Sequence, residues 1–246
     1  MTPILAVEGL SISFGGLKAV DHVSFDVQPG AITSVIGPNG AGKSTLFNLI
    51  SGALRPATGR VELAGRDVTR WSPNRLAAAG LARCFQTTNL FNDLSVEENL
   101  RLAAQINESR LRGFFPVRAN REAARAVETM IERFDLGPTR HLDVAHLSHG
   151  DQRRLEIAVA MASHPKLLLL DEPTQGMSHG DTQAVGKLIR SLAGDVTVLV
   201  VEHDIGLVMS MSDRIVVMAQ GAKIADGTPD EVRNDPRVKE AYLGHA

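Results

Sequence analysis

The chain has 246 residues, 43% of them hydrophobic, enough to bury a sizeable core in one large or two small domains. Its formal net charge of −2 supplies no basic field of the kind that nucleic acid or anionic membranes attract, and its single cysteine, Cys84, excludes an internal disulfide. The opening stretch MTPILAVEGLSISF lacks the features of a signal peptide, and no run reaches the roughly 18 uncharged apolar residues of a membrane span. The expected location is a reducing cytoplasm, with any membrane role exercised through a partner.

In chain order, LAVEGLSISFGG, VSFDVQPG, AITSVIG and RVELAG alternate short apolar runs with turn residues and read as strands. From about Asp93 to Met161 the spacing becomes helical: Ala123, Val127, Met130, Ile131 and Phe134 recur on one face, after the loop LRGFFPVRAN. KLLLLDEP and DVTVLVVEHD are continuous apolar runs of strand length separated by a helix-length segment, the pattern of parallel strands buried on both faces. A final helix beginning near Pro229 turns Val232, Val238 and Tyr242 inward over the core. Cys84 and Met177 read as packing residues. The expected class is α/β, with a helical insertion inside a mixed fold and no internal repeat.

The strongest chemical pattern is GPNGAGKST, which fits a phosphate-binding P-loop set between a strand and a helix. Gly37, Gly40 and Gly42, with Pro38, Asn39 and Ala41 between them, let backbone N–H groups curl around phosphates. Lys43 supplies a point charge to the outer phosphates and Ser44 a hydroxyl to Mg²⁺, with Thr45 completing the motif. Asp171, ending LLLLD, is placed to hold the metal shell, and Glu172 beside it to act as base toward an attacking water. In LSHGDQRRLEIA, Ser148 and Asp151 form a helix-start signal. Gly150 sits where exposed N–H groups could receive an anion.

In this order and spacing, the P-loop, LSHGDQRR, LLLLDEP and VVEHD resemble the ATP-binding subunit of an ABC transporter over essentially the whole chain. The resemblance implies a P-loop, RecA-like, mainly parallel α/β core with an antiparallel β subdomain and an α-helical insertion. It makes residues 1–246 one ATP-binding domain: 1–92 and 162–246 form the catalytic core with its β subdomain, and 93–161 the helical subdomain with the signature. It implies ATP and Mg²⁺ as cofactors, and a head-to-tail dimer in which Ser148 and the Gly150 N–H bind the γ-phosphate of an ATP held by a facing subunit's P-loop. Gln86 matches the glutamine that touches metal and attacking water, His203 the switch histidine on the γ-phosphate, and Phe14 the aromatic ring on adenine. His149, Asp151 and Ser178 depart from the commonest pattern: the first two replace Gly and Gln, and the third stands where an aspartate is common.

Closer likeness to importers of branched-chain and other hydrophobic amino acids, with relatives for urea and short amides, lies in FGGLKAVDHVSFDVQPG, TTNLFNDLSVEENL and DRIVVMAQGAKIADGTPDEVRNDPRVKEAYLG. It implies a second ATP-binding chain, identical or different, integral membrane permeases and, indirectly, an extracytoplasmic solute-binding protein. The chain would then lie peripherally on the cytoplasmic face of the inner membrane. The rim around Gln86, Leu90 and Phe91, with Phe114 and Phe115, is expected to receive a permease helix. A soluble ABC-type ATPase acting on ribosomes or DNA is disfavoured by a single P-loop and a mild negative charge, and a small-molecule kinase by the LSHGDQ stretch.

Overall fold

The computed structural model describes residues 2–84, 90–104 and 121–243, apart from the side chains of 121–123 and 243. Strands β1 (Leu5–Phe14) and β2 (Leu17–Val27) form a hairpin; β3 (Ile32–Ile36) then leads through the P-loop into helix α1 (Lys43–Ile50). After β4 (Thr58–Leu63) and β5 (Arg66–Asp67), α2 (Pro73–Ala78) precedes β6 (Leu81–Cys84). Helices α3 (Val96–Ala104), α4 (Arg121–Arg133) and α5 (His149–Met161) follow. The chain continues through β7 (Leu167–Asp171), α6 (His179–Ser191), β8 (Thr197–Val201) and α7 (Ile205–Met211). It ends with β9 (Arg214–Ala219), β10 (Ala222–Gly227), α8 (Pro229–Asn234) and α9 (Pro236–Leu243).

Two sheets result. An antiparallel sheet has the order β2-β1-β4-β5, and a six-stranded sheet the order β10-β9-β3-β8-β7-β6, parallel except for β10. Every residue of ITSVI, LLLLD and TVLVV is buried, as continuous apolar runs require when both sheet faces are covered. β9 and β10 extend this sheet beyond the strands read from the sequence. Register places Val35 opposite Val201 and Val201 opposite Asp171, so β3, β8 and β7 end at one level, and the loops that follow them converge.

Side-chain alternation divides the core. Val35, Leu169 and Val201 face α1 and the antiparallel sheet, packing with Leu46, Phe47, Leu5 and Phe25. Ile36, Leu168, Leu170 and Val200 face the other way, into a cluster that also holds Leu100, Val127, Phe134 and Leu155 from the helices of residues 96–161. The C-terminal segment is two helices rather than the single expected one. Pro236 lacks an N–H and keeps Asp235 in an extended conformation (ψ 121°), which breaks the helix there. Val232 and Val238 are buried and Tyr242 packs against the same cluster, so the expected inward face survives the break.

Because Phe134, in the turn after α4, shares a cluster with the sheet, its truncation is felt beyond the helices. Phe134→Ala is expected to cost about 3–5 kcal/mol. The unfolding of the variant in urea, followed by far-UV circular dichroism and by the fluorescence of Trp71 beside the opposite cluster, should remain one coincident transition. Two separated transitions would show the helices folding as their own unit.

Candidate functional site

At the end of β3 the backbone enters a loop that side chains at two positions would block. A Cβ on Gly37 (φ 153°) would lie 2.1 Å from the Met218 carbonyl oxygen, and one on Gly42 (φ 96°) 2.1 Å from that of Ala19. Gly42 is the N-cap of α1 and offers no side-chain cap, so the first-turn N–H groups at Lys43, Ser44 and Thr45 have the open geometry that receives anions. Pro38, Asn39, Gly40 and Ala41 form the turn between them, closed by Ala41 N–H to Pro38 O at 3.2 Å. The buried Lys43 donates from Nζ to Gly37 O (2.7 Å) and Pro38 O (3.0 Å). Burial holds its ammonium below the ordinary lysine range, and the negative charge of Glu172 acts in the opposite direction, so these two residues share one electrostatic site. On the other face, burial pushes the Tyr242 phenol up to about 12, partly offset by a hydrogen bond from the Gly37 backbone.

Asp171 and Glu172 leave β7 in different conformations. Asp171 is buried and pairs with Arg83 at 2.9 Å. Glu172 adopts φ 46°, a left-handed conformation that is uncommon for a residue with its side chain and characteristic of strained functional positions. Several bonds hold it there: its N–H donates to Val201 O at 2.9 Å, and its carbonyl accepts from Gln175 N–H at 3.2 Å and Arg153 Nη2 at 3.2 Å. Arg153, buried in α5, also donates to Pro173 O at 2.8 Å and pairs with Glu156.

After β8, Glu202 is fully buried. Its Oε1 accepts from Thr174 N–H (3.0 Å) and Thr174 Oγ1 (2.6 Å), and its Oε2 from His203 N–H (3.0 Å). The exposed His203 ring lies with Nδ1 3.6 Å from the same carboxylate. Phe14, at the end of β1, is 50% exposed, which leaves its ring face open to a planar ligand.

The start of α5 is capped as its sequence signals. Ser148 Oγ accepts from Asp151 N–H at 3.1 Å and donates to Asp151 Oδ2 at 2.8 Å. Ser178, in an identical Ser-His-Gly-Asp sequence, caps α6 the same way with Asp181. The two caps abut: a Cβ on Gly150 would lie 3.2 Å from Asp181 Oδ1. Asp151 thus pairs with the Ser148 cap of its own helix, and Ser178, where an aspartate is common, caps α6.

Gln86, Phe114 and Phe115 lie outside the described residues. Leu90 is half-buried against the core and Phe91 is exposed. Cys84 and Met177 pack; burial raises the Cys84 thiol far above its usual range. Ser44 is exposed at the head of α1 and, with Asp171, offers the hard oxygen donors that suit Mg²⁺ shared with phosphates. Among the described residues no group of three or more His, Cys, Asp or Glu gathers to hold a metal unaided. Sequence reasoning passed over Arg83, Arg153 and Glu202; the available signal was a charge set inside or directly after an apolar strand run.

Comparison with known proteins agrees with this geometry. Residues 20–175 match the ABC transporter family model, and residues 222–246 that of the branched-chain amino acid ATP-binding cassette transporter. The chain is 42% identical, over 99% of both chains, to the high-affinity branched-chain amino acid transport ATP-binding protein BraF of Pseudomonas aeruginosa. It is 40% identical, over the same shares, to the protein LivG of the same description from Escherichia coli K12. Among solved structures, a nucleotide-free ATP-binding cassette from an ABC transporter superposes with a TM-score of 0.85 at 33% identity, covering 98% of this chain and 99% of the other. Another, in its ADP conformation, gives 0.84 at 33% identity, covering 99% and 100%. A phosphate-binding loop after β3, with a buried aspartate and a strained glutamate at the end of β7, in a chain matched end to end by such proteins, place it in the ABC transporter family as an ATP-binding, ATP-hydrolysing subunit.

Proposed function

We propose that this subunit drives the import of branched-chain or other hydrophobic amino acids, bound peripherally on the cytoplasmic face of the membrane to integral permeases that receive solute from an extracytoplasmic binding protein. The observation that carries the solute class is the 40–42% identity, over 99% of each chain, to two proteins named for high-affinity branched-chain amino acid transport. Among the described residues no helix is long and apolar enough to cross a membrane, so the proposal assigns the pathway to the permeases. A groove of about 970 Å³ between α2, β6 and the turn at Ser163–Lys166 supports docking of a permease segment next to the strand that leads to Gln86.

Within this reading, residues 1–92 and 162–246 form the catalytic core with its β subdomain, and 93–161 the helical part with the signature. Phe14 stacks on the adenine, the Gly37–Thr45 loop and Lys43 hold the phosphates, and Glu172 takes a proton from the attacking water while His203 contacts the γ-phosphate. Ser44, Asp171 and Gln86 would hold Mg²⁺, which when bound neutralises charge on the outer phosphates. Ser148 and Gly150 serve an ATP held by a facing ATP-binding subunit, identical or different. For this the Ser148 hydroxyl turns from Asp151 to the phosphate, a low-cost exchange of one carboxylate acceptor for another anion. Closure of the pair on two ATP molecules then moves the helical part and the permease, and hydrolysis reopens it.

Cells lacking this chain should lose uptake of radiolabelled leucine, isoleucine and valine. The wild-type gene should restore it and Glu172→Gln should not, although the variant binds ATP normally. Unchanged uptake in the deletion strain refutes the solute class, and normal hydrolysis by the variant refutes the base. Lys43→Ala should weaken ATP binding by at least about tenfold in calorimetry, since it removes a charge-assisted phosphate contact; unaltered affinity refutes the phosphate site. Ser148→Arg should leave ATP capture by its own chain intact yet abolish ATP-dependent pairing. Ser148→Ala, which loses only the cap, should cost about 1 kcal/mol of stability. Normal activity of the arginine variant in the assembled complex refutes the shared site.

A further inference from the structure

Arg83 lies in β6, the edge strand of the parallel sheet, opposite Leu169 of β7. Leu169 belongs to the core cluster on the α1 side of the sheet, and Asp171, two residues further along the same strand, alternates to that side as well. The side chain is 10% exposed, and its guanidinium reaches both ways across this layer. Nη1 donates to Asn48 Oδ1 at 2.8 Å and to Ser51 Oγ at 2.6 Å; Nη2 donates to Asp171 Oδ2 at 2.9 Å. Asn48 belongs to α1 and Ser51 is its C-cap, so both are on the helix whose first turn carries Lys43 and Ser44.

A buried ion pair of this kind is a poor device for stability alone, because an apolar pair of similar volume fills such a site at no desolvation cost. What the planar fork adds is geometry: two bonds on one side and one on the other fix the separation and orientation of the groups it joins. The groups joined here are the helix that presents Ser44 and the carboxylate that ends β7. Among the described residues, the hydrogen bond to that carboxylate comes from Arg83.

We propose that Arg83 is a positioning residue that fixes the Asp171 carboxylate relative to Ser44 and thereby sets the affinity for the divalent cation that accompanies the nucleotide. This rests on the reading of Ser44 and Asp171 as metal-side residues. The outer partner orients the ligand, and loss of such a partner ordinarily costs one to two orders of magnitude in metal affinity.

The test uses Mn²⁺ as probe, titrated into the purified full chain with saturating ADP and followed by electron paramagnetic resonance. Nucleotide affinity is measured separately in EDTA. Arg83→Gln should weaken Mn²⁺ binding roughly tenfold while leaving nucleotide affinity in EDTA unchanged. Arg83→Lys, which keeps the charge and loses the fork, should show an intermediate loss. Because Arg83→Gln strands a buried carboxylate at a cost to folding, Asn48→Ala/Ser51→Ala provides a second arm: it keeps the ion pair but unties it from α1, and should also weaken Mn²⁺ binding. Wild-type Mn²⁺ affinity in the double variant, or in a folded Arg83→Gln, overturns the proposal. Asp171→Asn separates the two readings. If it retains wild-type Mn²⁺ affinity, the metal role of Asp171 is wrong and the proposal falls with it; if it alone loses affinity, Asp171 stands and Arg83 has no positioning role.

Discussion

The Glu202 carboxylate, with no exposure to solvent, is the fixed point of the chemistry. Burying polar oxygens is costly unless donors replace their water. Here the replacements come from Thr174, through both its N–H and its hydroxyl, and from the His203 N–H. Satisfying those oxygens ties the turn after β7 to the turn after β8. Glu172 lies within the tied segment, and its left-handed backbone persists because Val201, Arg153 and Gln175 bond its peptide groups on both sides. The pose of the glutamate is therefore set by its neighbours' need to satisfy buried polar groups.

Arg153 extends this dependence to the helical part. It runs from α5 to the carbonyls of Glu172 and Pro173, and its charge is balanced within the helix by Glu156. Ser148 at the N-terminus of α5 is exposed and Gly150 is buried, while the body of the helix is held to the turn carrying Glu172 through Arg153. Movement of the helix as a body must either carry that turn along or break buried hydrogen bonds, each of which is costly to leave unmade. Coupling between α5 and the turn carrying Glu172 thus has a definite structural route inside one chain.

The sequence displays some of this plainly and hides the rest for a physical reason. The P-loop glycines, the buried runs at Ile32–Ile36, Leu167–Asp171 and Thr197–Val201, and the Ser148 cap are local patterns, readable because a few adjacent residues determine them. Arg83, Arg153 and Glu202 are non-local. Arg83 meets Asn48 and Asp171 at separations of 35 and 88 residues, and Glu202 meets Thr174 at 28, so no window of sequence contains both partners. The break at Pro236 was a local signal outweighed by the regular spacing of Val232, Val238 and Tyr242, which two helices satisfy as well as one. Gln86 falls outside the described residues, so its place rests on the resemblance.

The twin Ser-His-Gly-Asp caps carry a consequence for how this sequence can change. Gly150 is helical and has no need of a glycine for its backbone, yet any side chain there meets the Asp181 carboxylate that helps cap α6. A side chain at 150 therefore has to push the Asp181 carboxylate aside, away from the hydroxyl of Ser178, while the cap from the Asp181 N–H to Ser178 Oγ stays in place. The constraint at Gly150 comes from within the chain, where two capped helix starts meet.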